Sequence, residues 1–128
     1  MTETATGKRY ALQKTITVFA EFRAQHRWKE CPFEEQAFLR DWHRHVFKVW
    51  ATFTVSHSDR DLEFFVMQEH LRTLTGMWEG KQVEKSCEMF AESIIEWFLE
   101  HEYPITSVGV SEDGENVGTV TVLEEVAL

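Results

Sequence analysis

Three histidines stand where two extended segments of the chain could bring them together. His43 and His45 are two residues apart, and residues two apart in a β-strand point to the same side. His26 follows another alternating segment and can supply a third imidazole from an adjacent strand. Three neutral imidazoles with one open position form a catalytic zinc site, so a zinc ion is predicted on these side chains. The alternative is a set of solvent-facing or core histidines that binds nothing.

Alternation of apolar and polar residues predicts the two strands that carry these histidines. The first runs from Lys14 to Ala24, and one of its faces is apolar: Ile16, Val18, Ala20, Phe22 and Ala24. His26 is expected just past the end of this strand, on its apolar side. The second runs from His43 to Val55 and has its own apolar series: Phe47, Val49, Ala51, Phe53 and Val55. The histidines are therefore predicted at one end of a buried sheet face.

The segment between the two strands predicts a loop. From Arg27 to Asp41 the alternation disappears, Pro32 interrupts the chain, and at most a helical turn at Glu34 to Phe38 is expected. Loops carry functional residues more often than the elements they connect. This one is therefore a candidate lid over a substrate.

Two helices and a hairpin complete the predicted fold. Helical spacing predicts one helix over about Phe65 to Thr75 and a second from its N-cap Ser86 to about Glu100. Strands are predicted over Ile105 to Glu112 and Val117 to Glu124, with Asp113-Gly114 as the hairpin turn. The order β-β-α-α-β-β predicts an α+β fold, an antiparallel sheet with two helices on one face. The length of 128 residues predicts one domain over residues 1–128.

Composition limits the partners and the compartment. The chain has 13 Lys and Arg against 22 Asp and Glu, a net charge of -9, which argues against nucleic-acid binding because phosphates need clustered positive charge. Two cysteines, Cys31 and Cys87, are too few for a disulfide framework and fit a reducing compartment. No apolar run approaches a membrane span, and the first residues lack a signal-peptide core. A soluble cytoplasmic protein without a membrane partner is expected.

Four stretches of the sequence resemble motifs of one enzyme family. Phe22–His26 matches Phe-x-Ala-x-His at the end of that family's first strand, and His43–Phe47 resembles its His-Gly-His-x-aromatic strand. Lys85–Glu92 is similar to the Pro-Thr-x-Glu-Asn motif that opens its second helix, and Val110–Glu112 matches its Val-x-Glu. In this order and across nearly the whole chain, the stretches resemble the 6-pyruvoyl-tetrahydropterin and 6-carboxy-tetrahydropterin synthase family, which has the tunnelling fold.

The resemblance implies an activity and a site. It implies a Zn²⁺ ion held by His26, His43 and His45, and a pterin ring anchored by Glu112. A carboxylate suits the two parallel N–H donors of an aminopyrimidinone edge. Glu88 falls at the family's acidic position and is a second candidate for substrate binding. The family closes its open sheet edges by oligomerising into barrels, so a homo-oligomer is implied, a hexamer built as a dimer of trimers.

The sequence departs from the family where protons are moved. A catalytic cysteine is expected shortly before the paired histidines, but Phe38–Asp41 fill that stretch, and Cys31 upstream is the only candidate thiol. The Asp-His pair expected between the helices is absent from Met77–Lys85. Arg44 replaces the glycine between the paired histidines. The zinc and pterin ligands look retained, whereas the acid and base residues do not.

Two functions follow from this pattern. The leading one is a zinc-dependent lyase that acts on dihydroneopterin triphosphate or a related pterin, in pterin or deazapurine (queuosine) biosynthesis, with Cys31 as the catalytic base. The alternative is a catalytically degenerate protein that keeps the zinc and binds a pterin-like or purine-like ligand. Three basic residues are candidates for the phosphates: Arg27, Lys29 and Arg40.

Each candidate residue also has a simpler interpretation. Glu112 could be an acid that flanks the hairpin turn, Glu88 an acid in the first turn of its helix, and Cys31 a plain loop cysteine. Cys87, at the start of the same helix, could have a pKa lowered by the helix N-terminus. Three further histidines are interpreted as surface residues: His57, His70 and His101.

Overall fold

The computed structural model describes residues 1–127 as two small and four long strands, two α-helices and one 3-10 helix. In chain order the elements are β1 (Thr2–Glu3), β2 (Arg9–Tyr10), β3 (Lys14–His26), the 3-10 helix (Glu34–Arg40), β4 (His43–Val55), α1 (Phe64–Gly76), α2 (Cys87–Glu100), β5 (Ile105–Glu112) and β6 (Asn116–Thr121). The predicted order of the main elements and the α+β class are confirmed. The short β1–β2 hairpin was not predicted from the sequence.

The four long strands form one antiparallel sheet in the order β3-β4-β5-β6. The register of β3 and β4 places His26 opposite His43 and Ala24 opposite His45. The register of β4 and β5 places Phe47 opposite Glu112. The sheet therefore gathers three histidines and a carboxylate at the same end and on the same face.

Both helices pack on that face of the sheet, α1 against β3 and α2 against β5 and β6. The largest buried side chains of this layer are aromatic, and three of them form a cluster in which ring centroids lie 5.0 to 5.1 Å apart: Phe22, Phe47 and Phe90. The rings of His26 and His45 lie 5.1 and 5.6 Å from that of Phe47. The apolar core thus forms the floor under the histidines.

Two strand boundaries differ from the predictions for reasons of pairing. His26 was expected beyond the strand but is the last residue of β3, because the ladder continues to His43 and residues 80–83 bond to the outer edge of the strand. The last strand was predicted to reach Glu124 but ends at Thr121. The backbone hydrogen bonds between the two strands end there, because the partner strand β5 starts at Ile105. The last of these bonds runs from the Val122 N–H to the Thr106 carbonyl.

The loop between β3 and β4 is more ordered than predicted. A 3-10 helix over Glu34–Arg40, with a kink at Gln36, replaces the single helical turn. Its Arg40 side chain donates to the carbonyl of Cys31 at 2.8 Å and pairs with Glu34, which fastens the loop to itself. Within residues 1–127, no helix combines the length and the apolar character that crossing a membrane requires.

Candidate functional site

Three imidazoles converge at the end of β3 and β4. One ligand nitrogen from each of His26, His43 and His45 lies within 4.8 Å of the other two. The ring centroids are 4.5 to 5.1 Å apart. His26 is the most buried, with only 7% of the residue exposed. The pairing predicted from strand parity therefore brings the three side chains into one cluster.

The orientation of each ring is set by an oxygen acceptor on its Nδ1 side. His26 Nδ1–H donates to the Lys85 carbonyl at 2.9 Å, and His43 Nδ1–H donates to the Asp41 carbonyl at 2.8 Å. His45 Nδ1–H donates to Oδ2 of Asp113 at 2.7 Å. Carbonyl and ionised carboxylate oxygens only accept, so the proton of each neutral ring must be on Nδ1. The Nε2 lone pairs are left free for a metal.

The three Nε2 atoms are buried and have no hydrogen-bond partner within the described part of the chain. Glu112 Oε1 is 3.2 Å from Nε2 of His26, and Oε2 is 3.6 Å from Nε2 of His45, but neither contact is a hydrogen bond in this arrangement. When all three rings are neutral and protonated on Nδ1, lone pairs on nitrogen and oxygen face each other, which costs free energy unless a proton or a metal cation lies between them. Three imidazole nitrogens beside a carboxylate suit a zinc ion, so the residues fit this metal.

The charges of the cluster shift the pKa values of its members in opposite directions. Burial lowers the pKa of His26, but the Glu112 carboxylate and the Lys85 carbonyl outweigh it, so the pKa is raised overall. Contact with His26 lowers the pKa of Glu112; burial opposes this, and the nearby His45 and His43 add to the lowering. The carboxylate of Glu112 is therefore held in its ionised form beside the imidazoles.

A cavity of about 670 Å³ opens in front of His26, His43 and Glu112. The loop after β3, the start of α2 and the start of β6 form its walls, with these lining residues among others: Arg27, Lys29, Glu30, Glu84, Ser86, Glu88 and Gly118. A Cβ added to Gly118 would lie 2.5 Å from Oε1 of Glu88, so the glycine leaves the space that this carboxylate occupies. Both predicted substrate carboxylates, Glu88 and Glu112, thus border one cavity.

Cys31 lies in the loop but does not line that cavity. Its thiol is buried and lies 3.8 and 3.7 Å from the carbonyl oxygens of Phe33 and Gln36. These contacts belong to the loop itself, and no contact joins the sulfur to the histidines within residues 1–127. The catalytic role of Cys31 stays a prediction of the sequence.

Cys87 is the thiol that contacts the site. Its Sγ lies 3.9 Å from Oε1 of Glu112, at the start of α2. Burial, together with the negative charges of Glu112 and Glu88, raises the pKa of Cys87 to about 12. The lowered pKa expected from the helix N-terminus is therefore wrong, because the two carboxylates and the loss of solvent outweigh the helix dipole.

The other histidines are not all surface residues. His57 and His101 are exposed, as predicted. His70 is half-buried, and its Nε2 is 3.1 Å from the Tyr103 hydroxyl, with the ring of Trp97 at 5.5 Å. The interpretation of His70 as a surface residue is wrong because α1 turns it toward the end of α2.

Sequence reasoning missed the groups that orient the histidines. Asp113 is a typical turn residue, so the predicted hairpin turn was a sufficient reason for its presence in the sequence. Its contact with His45 joins residues 68 positions apart. The carbonyls of Lys85 and Asp41 carry no side-chain signal at all. Of these groups, only Asp113 could have been found in the sequence. It directly follows Glu112, the last residue of the strand that pairs with the histidine strand.

Comparison with known proteins shows the same fold. No protein-family model matches the sequence, and none of the curated proteins matches it. Among solved structures, 6-pyruvoyl tetrahydropterin synthase of Caenorhabditis elegans superposes with a TM-score of 0.67 at 12% identity, covering 88% of this chain and 97% of the other. The Plasmodium falciparum synthase gives 0.64 at 12% identity over 84% and 96%. A Plasmodium vivax synthase with a catalytic glutamate replaced by alanine gives 0.62 at 14% identity over 86% and 98%.

These likenesses cover most of each chain at very low sequence identity. The strand and helix order, the antiparallel sheet and the helices on one face are shared with the synthases. The predicted tunnelling fold is therefore confirmed, and this chain is a divergent example of the fold of 6-pyruvoyl tetrahydropterin synthases.

Proposed function

We propose that this chain is a zinc-dependent, pterin-synthase-like lyase acting on dihydroneopterin triphosphate or a related pterin, in pterin or deazapurine biosynthesis. The observation that carries the proposal is a set of three buried Nε2 atoms, beside an ionised carboxylate, that have no hydrogen-bond partner among residues 1–127. A shared fold alone would not support an activity, because one fold hosts many functions.

His26, His43 and His45 would hold the zinc, which when bound supplies a Lewis acid for an oxygen of the substrate side chain. Glu112 would bind the ring, because an ionised carboxylate can accept both N–H groups of an aminopyrimidinone edge. The lowered pKa of Glu112 keeps it an acceptor at neutral pH. Glu88, across the cavity at the start of α2, is a second acceptor for substrate donors.

Proton transfer needs a base within the cavity, and we propose Glu30 for this role. It adjoins Cys31 in sequence and lines the cavity, whereas the thiol faces carbonyls of its own loop. The Plasmodium vivax synthase has a catalytic glutamate, which supports a catalytic role for a carboxylate in this chain. A Glu30→Gln variant should retain zinc and lose turnover, while Cys31→Ala should keep both. The reverse result would restore the thiol as the base.

Positive charge for the phosphates is available on two of the three predicted residues. Arg27 and Lys29 line the cavity, and Arg27 is held between Glu84, at 2.5 Å from its Nε, and the ring of Trp42, 4.4 Å from its Cζ. Arg40 instead bonds to Cys31 and Glu34 within the loop. We therefore propose Arg27 and Lys29 as the residues that contact the phosphates.

A second function, ligand binding without turnover, is favoured by the segment between the helices. The Asp-His pair of the family is missing there, and residues 80–83 instead bond to the edge of β3, including a parallel bridge between Gln25 and Gln82. Residues 80–83 cover a strand edge, and none of these four lines the cavity. A zinc protein that retains only the ligand site is the second candidate.

One experiment separates these functions. The purified chain is analysed for zinc, then incubated with dihydroneopterin triphosphate while triphosphate release and pterin products are followed by chromatography. Zinc with product supports the lyase, and zinc with tight binding but no product supports the binding protein. A zinc-free chain that neither takes up the metal nor changes on His43→Ala substitution excludes both.

A variant of the ring anchor tests the pterin assignment. Glu112→Gln should weaken binding of neopterin by roughly 10- to 100-fold, because the amide loses the charge and offers one acceptor instead of two. Glu115→Gln removes the same charge from the following turn and should bind as the unaltered chain does. Equal neopterin affinity in all three proteins would contradict a pterin-binding role for Glu112.

We also propose a cytoplasmic homo-oligomer, a hexamer built as a dimer of trimers. Both sheet edges, β3 and β6, have long stretches without a strand partner in the described chain, and open edges favour pairing. Phe19 on β3 and Val117 on β6 are 60% and 49% exposed. Both cysteines are free thiols, which fits a reducing compartment. Light scattering would test the mass, and a monomer at micromolar concentration would exclude the assembly.

A further inference from the structure

Asp113 makes three hydrogen bonds to β4 from the turn between β5 and β6. Oδ2 accepts from His45 Nδ1–H at 2.7 Å, and Oδ1 accepts from the Val46 backbone N–H at 2.8 Å. Its own N–H donates to the Val46 carbonyl at 2.8 Å. With both carboxylate oxygens and the backbone engaged, the position of this side chain is fixed relative to the His45 ring.

The acceptor of His45 differs in kind from those of the other two histidines. His26 and His43 donate to backbone carbonyls, which no substitution can remove. His45 donates to a side chain, and a charged one. A carboxylate on the far nitrogen both selects the tautomer of an imidazole and makes it a stronger ligand. The electronic state of His45 therefore depends on one replaceable residue.

Turn geometry alone does not account for this aspartate. Its φ of 56° lies in the left-handed region, where glycine, asparagine and aspartate are all tolerated. Asparagine would also accept from the Val46 N–H and keep the turn. What only the carboxylate provides is a second oxygen that accepts from His45.

We propose that Asp113 is a positioning residue for the metal ligand His45. It holds the ring in the Nδ1–H tautomer with Nε2 directed at the other two histidines, and it thereby links metal affinity to the β5–β6 hairpin. The proposal rests on the zinc site proposed above, but its effect on the tautomer is independent of metal. By reciprocity, bound zinc should stabilise the hairpin turn as much as the turn strengthens zinc binding.

The first test is zinc affinity in the complete chain. In Asp113→Asn the amide oxygen can keep the Val46 bond while the NH₂ group faces His45 Nδ1, which forces the ring proton to Nε2. Competition with a chromogenic chelator should show zinc binding weakened by about 10- to 100-fold. Glu115→Gln, with the same charge change in the same turn, is the matched control and should bind within twofold of the unaltered chain.

A second variant separates positioning from a failure to fold. Asp113→Gly keeps the left-handed backbone without strain and removes the acceptor completely. It should also bind zinc more weakly, with a circular dichroism spectrum unchanged from that of the parent. Folded Asp113→Asn and Asp113→Gly variants that both bind zinc within twofold of the parent would overturn the proposal.

The third test reads the tautomer in the metal-free protein. In ¹⁵N-imidazole NMR spectra, His45 should be protonated on Nδ1 in the parent and on Nε2 in Asp113→Asn, while His26 and His43 keep Nδ1–H in both. An unchanged His45 tautomer would overturn the proposal. A parent chain that binds no zinc would instead overturn the proposed function, and the NMR comparison would still decide the role of Asp113.

Discussion

Strand β4 has an aspartate–histidine pair at each end, and the two pairs differ in whether the histidine belongs to the cluster of three imidazoles. At the start of the strand, Asp113 accepts from His45 and from the Val46 N–H. Beyond its end, Asp61 accepts from the Ser56 N–H at 2.7 Å and lies 3.5 Å from Nε2 of His57. Each carboxylate thus accepts a hydrogen bond from a backbone N–H and lies beside an imidazole.

The two pairs differ in what remains on the far side of the ring. His57 Nδ1 accepts from the Asp59 N–H at 3.2 Å, so the proton is on Nε2 and both nitrogens are engaged. Its side chain is 57% exposed. In His45 the proton is on Nδ1, and the buried Nε2 is without a hydrogen-bond partner among residues 1–127. A histidine beside an acid therefore indicates a metal ligand only when the other nitrogen is left free among further ligands.

The largest expected effect concerns the aromatic floor under each end of β4. Phe47 and Phe53 are both fully buried, and Phe53 packs on Phe98 with centroids 4.9 Å apart. Substitution of either by alanine should lower the free energy of unfolding by about 3–5 kcal/mol, measured by urea denaturation of the metal-free chain. Only Phe47→Ala should also weaken zinc binding, because only Phe47 supports the rings of His26 and His45. Equal zinc loss in both variants would mean that general destabilisation controls the site.

The second expected effect concerns the histidines themselves. His45→Ala removes one of the three proposed zinc ligands and should weaken zinc binding by more than about 100-fold, a larger effect than loss of an outer contact. His57→Ala, just beyond the opposite end of β4, should retain one zinc per chain. Elemental analysis after dialysis and chelator competition measure both. A His45→Ala chain that keeps its zinc would remove this residue from the ligand set.

The fold and the clustering of the three histidines could be predicted because they depend on local patterns. A period of two residues fixes which face each side chain takes, so the parity of His43 and His45 with Phe47 placed them on the buried face. The position of His26 followed from the same rule on the neighbouring strand, although the strand end was missed by two residues. Strand ends are set by pairing partners elsewhere in the chain, and a local pattern contains no information about them.

The parts of the site that could not be predicted depend on contacts between distant segments. Lys85 lies 59 positions from His26, and it contributes a backbone carbonyl that any residue type would supply. The sequence indicates Cys31 because no other thiol lies upstream of the paired histidines, but the direction of its sulfur depends on the fold of a loop without periodicity. Cys87, only two residues beyond that carbonyl, contacts Glu112 through the packing of α2 on β5.

The third expected effect compares the N-caps of the two helices. Ser86 Oγ accepts from the Met89 N–H at 3.2 Å at the start of α2, and Glu63 accepts from the Val66 N–H at 2.9 Å at the start of α1. Alanine at either position should cost about 1 kcal/mol of unfolding free energy. Only Ser86→Ala should also weaken neopterin binding, since α2 starts beside the site. Unchanged neopterin affinity in Ser86→Ala would show that the position of this helix end does not affect the ligand site.

The smallest expected effect is the pH dependence of the pair outside the site. The pKa of Asp61 is lowered below its ordinary 3.8, chiefly by the Ser56 N–H and then by the Ser56 hydroxyl, with a weaker contribution from the charge of His57. A lowered pKa in the folded state stabilises the protein at pH values above the unfolded value, and this stabilisation disappears as the pH falls through the folded value. Asp61→Asn should therefore lower the melting temperature slightly at pH 7, with a difference from the parent that shrinks below about pH 4. Asp59→Asn, which leaves Ser56 untouched, should lower it less. Because Ser56 is the main cause of the lowered pKa, adding His57→Ala should leave most of the effect of Asp61→Asn in place. Loss of that effect would show that His57, and not Ser56, stabilises the Asp61 carboxylate.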